Sequence, residues 1–394
     1  MLCKATDCTG CGVCRSVCPK QAISMQPDQE GFLYPRIDEE KCVKCHLCEK
    51  KCPMLNSTEK NESAHFYMGW HKDESVLKTS SSGGIFTALA EYTFKLDGVV
   101  FGACQTSDGK IVHQYAENRQ DFEKFKLSKY YQSDTGTCYA DVKQFLCKNR
   151  VVLFSGTACQ VSGLYQYLGR KDWENLITVD VLCHGVASKK IVDGFLESKE
   201  KEYKKQIDQY FFRVKDENRG WYNGGGTRMR LTFSDGSSVV LPSRYDTFFL
   251  GFNHNFFLRE SCYRCQYCGT ERISDFTLAD YWRCNHPEIT PEQLKLGVSL
   301  ILANSNQAKH IIKQLPEMEY YSIDGQNAIM HNKALREPQN RPEIRDKFFA
   351  LMEKKGYDSA IKSQFKKRFF KRNIKRILCL MLPSQIASKV VKEI

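Results

Sequence analysis

Apolar residues occur along this chain with different spacings, and each spacing predicts a different element. Short uninterrupted apolar runs are typical of buried strands, and they occupy residues 99–102, 151–154 and 177–182. Apolar residues spaced three and four apart predict helices, and they occupy residues 85–90 and 161–168. Alternating apolar and polar residues on both sides of Asp235-Gly236 predict a hairpin of residues 227–233 and 237–241. These segments predict an α+β fold, with a mixed α/β body.

The first 52 residues hold nine of the 19 cysteines, and eight of the nine form one pattern that is written twice. In each copy three cysteines stand three positions apart, a fourth follows four positions later, and proline comes next. This is the spacing of a bacterial-type ferredoxin, in which the fourth cysteine of each run binds the other 4Fe-4S cluster. We therefore predict one cluster on Cys8, Cys11, Cys14 and Cys52, and a second on Cys42, Cys45, Cys48 and Cys18.

Zinc is the alternative metal for these residues, because Cys-x-x-Cys pairs also bind zinc tetrahedrally. The duplicated run that ends in Cys-Pro favours iron-sulfur. Thiolate ligands and oxygen-sensitive clusters belong in a reducing compartment, so we expect a cytoplasmic protein. The first residues show no signal-peptide pattern, and no apolar stretch approaches the length of a membrane span.

The net charge of +12 is concentrated near the end of the chain, where residues 361–394 hold ten Lys or Arg and one acidic residue. Apolar residues recur there at helical spacing, which predicts a basic amphipathic helix. We weigh two roles equally: peripheral contact with anionic lipid or an acidic partner, and packing of the apolar stripe on its own domain. No reader motif accompanies the charge, so nucleic acid is not an expected partner.

The body carries further candidate chemistry at the ends of its predicted elements. Residues 80–84 read Ser-Ser-Ser-Gly-Gly and lead into a helix, and a helix start of this kind can bind phosphate. Cys159 and Cys183 come directly after predicted strands, where open α/β sheets place their sites. A Cys-x-x-Cys-x-x-Cys run begins at Cys262, and Cys284 lies beyond it. From these residues alone, iron-sulfur and zinc suit the body equally well.

The order and spacing of several short motifs in the body are quite specific. They are Ser82-Gly83-Gly84-Ile85, Ser128-Lys129-Tyr130, Gly156-Thr157-Ala158-Cys159-Gln160, Cys183-His184-Gly185, Cys262-x-x-Cys265, Arg272-Ile273-Ser274-Asp275, Leu278-Ala279-Asp280-Tyr281-Trp282 and Gly297-Val298-Ser299. In this arrangement residues 65–335 resemble the beta subunits of coenzyme F420 (deazaflavin) hydrogenases and dehydrogenases, which are iron-sulfur flavoproteins. A duplicated ferredoxin module fused to such a body also occurs in that family.

The resemblance implies a third 4Fe-4S cluster and an FAD. The family's cluster ligands correspond to Cys159, Cys183, Cys262 and Cys265, although the residues alone do not choose Cys265 over Cys268 or Cys284. The resemblance also implies that Ser82, Gly83 and Gly84 hold an FAD phosphate and that Lys129 and Asp280 lie near the flavin. His184, beside a cluster ligand, is the candidate catalytic proton donor, and a structural hydrogen-bonding role is the favoured alternative for it.

These inferences predict an oxidoreductase that relays electrons from a one-electron donor through 4Fe-4S clusters to FAD and on to an organic hydride acceptor, such as a deazaflavin. The expected partners are an electron donor or acceptor protein and a small-molecule hydride acceptor. Two alternatives remain open. One is an electron-transfer subunit that has no substrate of its own and serves a partner enzyme, and the other is a zinc-stabilised binding module that acts through the basic tail. The predicted parts are a ferredoxin domain at 1–56, a linker at 57–64, two beta-subunit domains at 65–160 and 161–335, and a helical basic tail at 336–394.

Overall fold

The computed structural model describes residues 2–61, 64–169, 173–215, 221, 228–242 and 246–365. The basic amphipathic helix predicted near the end of the chain falls within residues 366–394 and lies outside the described residues. Its proposed roles therefore stay predictions. No helix among the described residues has the length and apolar character needed to cross a bilayer.

The N-terminal ferredoxin unit is small and repeats itself. Each cysteine run ends in a single helical turn, and a two-stranded antiparallel sheet lies between the two turns. The elements in chain order are α1 (Val13–Ser16), β1 (Ile23–Pro27), β2 (Leu33–Ile37) and α2 (Leu47–Lys50). The residues that precede the two turns, Gly12 and His46, both adopt left-handed backbone conformations, with φ of 82° and 58°.

The body is built on strands from widely separated parts of the chain. These strands are β3 (His65–His71), β4 (Val99–Gln105), β5 (Ile111–Ala116), β6 (Val152–Thr157), β7 (Leu176–Val181), β8 (Ile207–Val214), β9 (Arg228–Phe233), β10 (Ser238–Pro242), β11 (Phe276–Asp280), β12 (Ser299–Ala303) and β13 (Met318–Ile323). Eight of them form one sheet in the order β13-β3-β12-β11-β7-β6-β4-β5, and β10-β9-β8 form a second, antiparallel sheet.

Helices connect these strands and cover the sheets. They are α3 (Glu74–Thr79), α4 (Ile85–Lys95), α5 (Arg119–Phe122), α6 (Cys138–Cys147), α7 (Ala158–Leu168), α8 (Lys189–Tyr203), α9 (Thr247–Asn253), α10 (Pro291–Leu296), α11 (Asn306–Ile311), α12 (Gln326–His331) and α13 (Ile344–Gln364). Short 3-10 helices lie at Glu123–Phe125, Glu260–Arg264, Ile312–Gln314 and Lys333–Leu335. The fold is therefore mixed, as the apolar pattern predicts.

The central strands of the large sheet are buried on both faces, which explains their uninterrupted apolar sequence. In β6, Leu153 joins the hydrophobic core that contains residues of α4 and α11, whereas Val152 and Phe154 join the core that contains residues of α6 and α7. A third core fills the space between the small sheet and the helices α8, α9 and α13. The ferredoxin unit contributes to the α6–α7 core through Cys11 and Val13, so it packs directly on the body.

Three neighbouring parallel strands, β6, β7 and β11, end at the same edge of the large sheet. Thr157 at the end of β6 pairs with Val181 at the end of β7, and Val181 in turn pairs with Leu278 of β11. The strands predicted at residues 151–154 and 177–182 are confirmed within about one residue at their starts. The segments that follow these three strand ends therefore converge, at the kind of edge where α/β sheets bind ligands.

Candidate functional site

The first cysteine run lies where the ferredoxin unit meets the body. Cys8, Cys14 and Cys52 are buried and interact with one another electrostatically, and Cys3 shares side-chain hydrogen bonds with Cys8 and Cys52. Cys11 is also buried and interacts with Cys8 and Cys14 on one side and with Cys159 of the body on the other. The four predicted ligands of the first cluster are therefore brought together, and Cys3 is a fifth thiol beside them.

The second cysteine group lies at the outer part of the ferredoxin unit. All four of its predicted ligands line one small cavity of about 30 Å³. They are Cys18, Cys42, Cys45 and Cys48. Cys45 is exposed, and Val43 beside it has 56% of its surface exposed. This group is therefore more exposed than the first, whose four predicted ligands are buried.

The third cysteine group lines a cavity of about 630 Å³ at the convergent strand ends. Its members come from three segments of the chain, and they are Cys159, Cys183, Cys262, Cys265 and Cys268. Cys284 does not line this cavity and packs partly buried in a different core. The structure thus brings together the four cysteines implied by the family resemblance, with Cys268 as a fifth thiol hydrogen-bonded to Cys265.

Local structure explains how the cysteines after β6 and β7 reach this cavity. Strand β6 passes into α7 without a loop, and Thr157 and Gln160 form a capping box that fixes the helix start. Cys159 is the second residue of that helix, and its Sγ lies 3.1 Å from Thr157 Oγ1. Cys183 follows β7 by two residues. Both thiols are consequently fixed by the sheet edge.

Burial dominates the electrostatics of the third group. Burial, together with the neighbouring thiols, raises the pKa of Cys159 to about 11 and that of Cys262 to about 12. A buried thiol resists ionisation, so these side chains suit a site where a cationic metal centre stabilises the thiolates. Among the described residues no three His, Cys, Asp or Glu side chains are arranged to hold one metal ion. The cluster assignments therefore stay predictions that rest on residue type, spacing and proximity.

The glycine-serine helix start lies on the same cavity. Ser80, Ser81, Ser82 and Gly84 line it, whereas Gly83 packs behind them. Gly84 caps α4 with a φ of 77°, and Gly83 N donates to Ser299 Oγ at 2.9 Å. A Cβ on Gly83 would come within 2.5 Å of Gly69 O, so this position has no room for a side chain. The loop is held against the strands β3 and β12.

Lys129 also lines the cavity, and its ammonium group is held by main-chain oxygens. Its Nζ donates to the carbonyl oxygens of Lys124, Phe125 and Lys126 at 3.2, 3.0 and 2.7 Å. Burial lowers the pKa of Lys129 to about 7. An anionic group in the cavity would favour its charged form.

Asp280, at the end of β11, lines the cavity but already has strong partners. Arg213 binds both of its carboxylate oxygens, at 2.5 and 2.7 Å, and Trp221 Nε1 donates to Oδ1 at 3.2 Å. Trp221 stacks on Trp282 with ring centroids 5.3 Å apart. Asp280 therefore holds an arginine and an aromatic pair in place at the cavity wall, and its place near a flavin stays a prediction.

His184 lines the cavity next to Cys183. Its Nε2 lies 2.8 Å from Asn255 Oδ1, and its ring packs against Phe252 at 4.9 Å. Burial lowers the pKa of His184, so the neutral ring is favoured. This arrangement suits the structural role weighed for His184 better than proton donation, which stays a prediction.

Two residues near the cysteines carry no motif and escape sequence reasoning. Cys3 lies beside the first group, although its position suggests only a spare thiol. Arg259 is completely buried between the ferredoxin unit and the body, three residues before Cys262. Only the burial of a charged side chain distinguishes Arg259, and burial of this kind cannot be read from spacing.

Family comparisons identify two segments of the chain. Residues 149–328 match the model for the C terminus of the coenzyme F420 hydrogenase/dehydrogenase beta subunit. Residues 7–55 match the 4Fe-4S dicluster domain. The first segment contains all five cysteines of the third group, and the second contains the eight cysteines of the duplicated runs.

Individual relatives were found for parts of the chain. An uncharacterized ferredoxin of Methanocaldococcus jannaschii is 41% identical over 46 residues, which is 12% of this chain and 58% of the relative. A polyferredoxin-like protein of the same organism is 37% identical over 57 residues, 12% of this chain and 34% of the relative. The chain thus spans about a third to somewhat over half of these curated relatives.

Among solved structures, a chain of the F420-reducing [NiFe] hydrogenase complex from Methanosarcina barkeri is similar with 15% sequence identity and a TM-score of 0.46. The match covers 79% of this chain and 94% of that one. From the two family matches, residues 7–55 are similar to a 4Fe-4S dicluster domain, and residues 149–328 are similar to the C terminus of the coenzyme F420 hydrogenase/dehydrogenase beta subunit.

Proposed function

We propose that this protein is an iron-sulfur flavoprotein oxidoreductase that connects a one-electron carrier protein, through three 4Fe-4S clusters and an FAD, to an organic hydride acceptor of the deazaflavin type. One observation carries the proposal. A single cavity is lined both by the five cysteines of the third group and by the Ser80–Gly84 loop, Lys129 and Asp280. Iron-sulfur electron transfer follows from the family matches, and the flavin and the acceptor are the proposed part.

The cavity suits a flavin in size and lining. Its volume of about 630 Å³ lies within the common range for cofactor sites, roughly 300 to 1,000 Å³. Tyr130, Phe249 and Phe252 supply apolar walls, and the serine loop and Lys129 supply polar groups at one side. A flavin held there supplies exchange of electrons singly or in pairs, which no side chain provides.

The three cysteine groups have a spatial order that suits a relay. The second group reaches the surface at Cys45, and the first group is buried behind it. Cys11 of the first group interacts electrostatically with Cys159 of the third group, and Cys159 lines the cavity. The order from solvent to cavity is therefore second group, first group, third group. A carrier protein would dock at the second group.

Anaerobic purification tests this function. Three cubes require about twelve iron atoms and twelve sulfides per chain, and extraction should release one FAD. Protein reduced with dithionite should then reduce added deazaflavin. Iron and sulfide without flavin would leave an electron-transfer subunit that serves a partner enzyme. Zinc in place of iron would remove the redox function altogether.

A further inference from the structure

Arg259 is a buried cation without an acidic partner. It is 0% exposed, and its guanidinium group is bound by two main-chain oxygens, one side-chain amide oxygen and the Cys8 thiol. Its Nε donates to Cys8 O at 2.7 Å, Nη1 to Gln132 Oε1 at 3.0 Å and Nη2 to Leu33 O at 3.0 Å. The adjacent Glu260 binds Arg341 instead, at 2.9 Å. Within the described part of the chain, no ion pair involves Arg259.

A buried charge of this kind is costly unless an opposite charge lies near it. The groups around Arg259 bind the cation but do not neutralise its charge. The Tyr34 ring centroid lies 4.1 Å from its guanidinium carbon, and Phe32 lies at 5.7 Å. Aromatic faces attract cations but carry no net charge. The compensating negative charge must therefore come from elsewhere.

Arg259 lies between the first and third cysteine groups. On one side the guanidinium group binds the main chain of Cys8, and a Cβ on Gly10 would lie only 2.9 Å from Nη1. On the other side the charge of Arg259 acts electrostatically on Cys159 and Cys262, and the main-chain nitrogen of Cys262 donates to the main-chain oxygen of Arg259 at 2.9 Å. The Arg259 side chain lines the 630 Å³ cavity together with Cys159 and Cys262.

A second buried arginine, Arg272, lies beside the third group, and a carboxylate neutralises its charge. Arg272 is 3% exposed, and its Nη2 binds Asp180 Oδ1 at 2.5 Å. Ser274 Oγ donates to the other oxygen of the same carboxylate at 2.6 Å. The charge of Arg272 is thus offset locally, whereas that of Arg259 is available to neighbouring anions.

We propose that Arg259 is the shared counter-charge of the first and third cysteine groups when each carries a 4Fe-4S cluster, and that it raises the reduction potential of both clusters. This inference rests on the proposed function and names a positioning residue for it. A cluster becomes more negative when it gains an electron, so a fixed cation nearby favours the reduced form. Because one guanidinium group lies beside both groups, its removal should affect two clusters together and leave the outer one unchanged.

The test is a potentiometric titration of the purified holoprotein, followed by electron paramagnetic resonance. Arg259→Gln should lower the equilibrium constant for one-electron reduction of two clusters about tenfold, which equals about 59 mV for each. The outer cluster, on the second cysteine group, should keep its potential. Arg259→Lys keeps the charge and should stay within about twofold of the unmodified protein.

Arg345→Gln is the matched control, because Arg345 also joins the ferredoxin unit to the body but is paired with Glu30. An equal shift in Arg345→Gln, or no shift in Arg259→Gln, would overturn the inference. Should Arg259→Gln fail to fold, Gln132→Glu places a carboxylate on the same guanidinium group and should lower the same two potentials. Unchanged potentials in Gln132→Glu would also overturn the inference. Protein that contains no iron would refute the proposed function itself.

Discussion

Arg345 of α13 and Glu30 of the ferredoxin unit form a two-contact ion pair, although they stand 315 residues apart in the chain. The two nitrogen–oxygen distances are 2.8 and 2.5 Å, and the Arg345 side chain is buried. Arg345 also donates to the carbonyl oxygen of Leu258 at 3.0 Å. The ion pair thus links the N-terminal ferredoxin unit to α13. It lies close to Arg259, which follows Leu258 in the chain.

Arg345→Met should lower the free energy of unfolding by about 2 kcal/mol. The substitution leaves the Glu30 carboxylate without its charged partner, which costs about 3–5 kcal/mol in a fully buried site. Glu30 keeps 27% of its side-chain surface exposed, so water offsets part of that cost. Urea denaturation followed by circular dichroism measures the change.

Arg341→Met provides the comparison for this measurement. Arg341 binds Glu260 and Asp346, but 35% of its side-chain surface is exposed. Exposed ion pairs contribute about 0–1 kcal/mol. If Arg341→Met lowered the free energy of unfolding as much as Arg345→Met, the buried ion pair would contribute no more to stability than the exposed one.

The central strands were predictable because burial on both faces leaves an unmistakable apolar run. Strands β6 and β7 are of this kind, and their predicted and observed starts differ by one residue. The position of β12 was not predictable, although its sequence is equally apolar. It pairs Leu300 with Met68 and Leu278 with Ile301, and no local pattern encodes which distant strands will become neighbours.

The site residues likewise fall into two classes: those that local sequence spacing predicts and those that only the tertiary structure brings together. Cysteines in the duplicated runs were identifiable because their ligand spacing is local to the sequence. The gathering of Cys159, Cys183 and Cys262 depends on which strands are neighbours. Their positions after predicted strands indicated Cys159 and Cys183, and the family resemblance added Cys262 and Cys265. Cys3 and Arg259 had no signal at all, since their placement follows from tertiary packing.

Cys262→Ser should lower the iron content from about twelve to about eight atoms per chain. A 4Fe-4S cluster needs its thiolate ligands, and serine does not replace them well. Cys284→Ser should keep all of the iron, because Cys284 lies outside the cavity of the third group. Colorimetric iron and sulfide analysis of anaerobically purified protein gives both numbers.

Cys268→Ser makes this test sharper, because Cys268 lines the same cavity as Cys262. The prediction is full iron content in Cys268→Ser. If Cys268→Ser lost four iron atoms and Cys265→Ser kept all of its iron, the fourth ligand would be Cys268 and not Cys265. Loss in Cys284→Ser would contradict the assignment of the third cluster as a whole.

Asp246→Asn should stabilise the protein more at pH 8 than at pH 5. Asp246 caps α9 through Oδ1, and burial raises its pKa from 3.8 to about 6. Between these values the native state binds more protons than the unfolded state, so this group lowers stability as the pH rises through that range. A neutral amide does not ionise, so Asp246→Asn removes this loss of stability. The increase in the free energy of unfolding should be about 1 kcal/mol larger at pH 8 than at pH 5.

Urea denaturation at the two pH values measures this difference. Asp235→Asn is the control, because Asp235 is exposed and its pKa is lowered by hydrogen bonds from Lys205 and Ser237. It should show no gain at pH 8. An Asp246→Asn gain that is equal at both pH values would mean that ionisation of this carboxyl group does not govern stability.

Gly83→Ala should reduce the FAD content of the purified protein severalfold, together with its melting temperature. A Cβ at this position would lie 2.5 Å from Gly69 O and 2.8 Å from Ser299 N, which are main-chain atoms of β3 and β12. The loop of Ser80–Gly84 must then move away from these strands and out of the cavity wall. Gly236→Ala is the control, since its φ of 80° makes alanine unfavourable there, although the turn has open space around it. That variant should lose about 1 kcal/mol of stability and keep its flavin. Equal flavin loss in both variants would show that general destabilisation, and not the shape of the loop, governs retention of the cofactor.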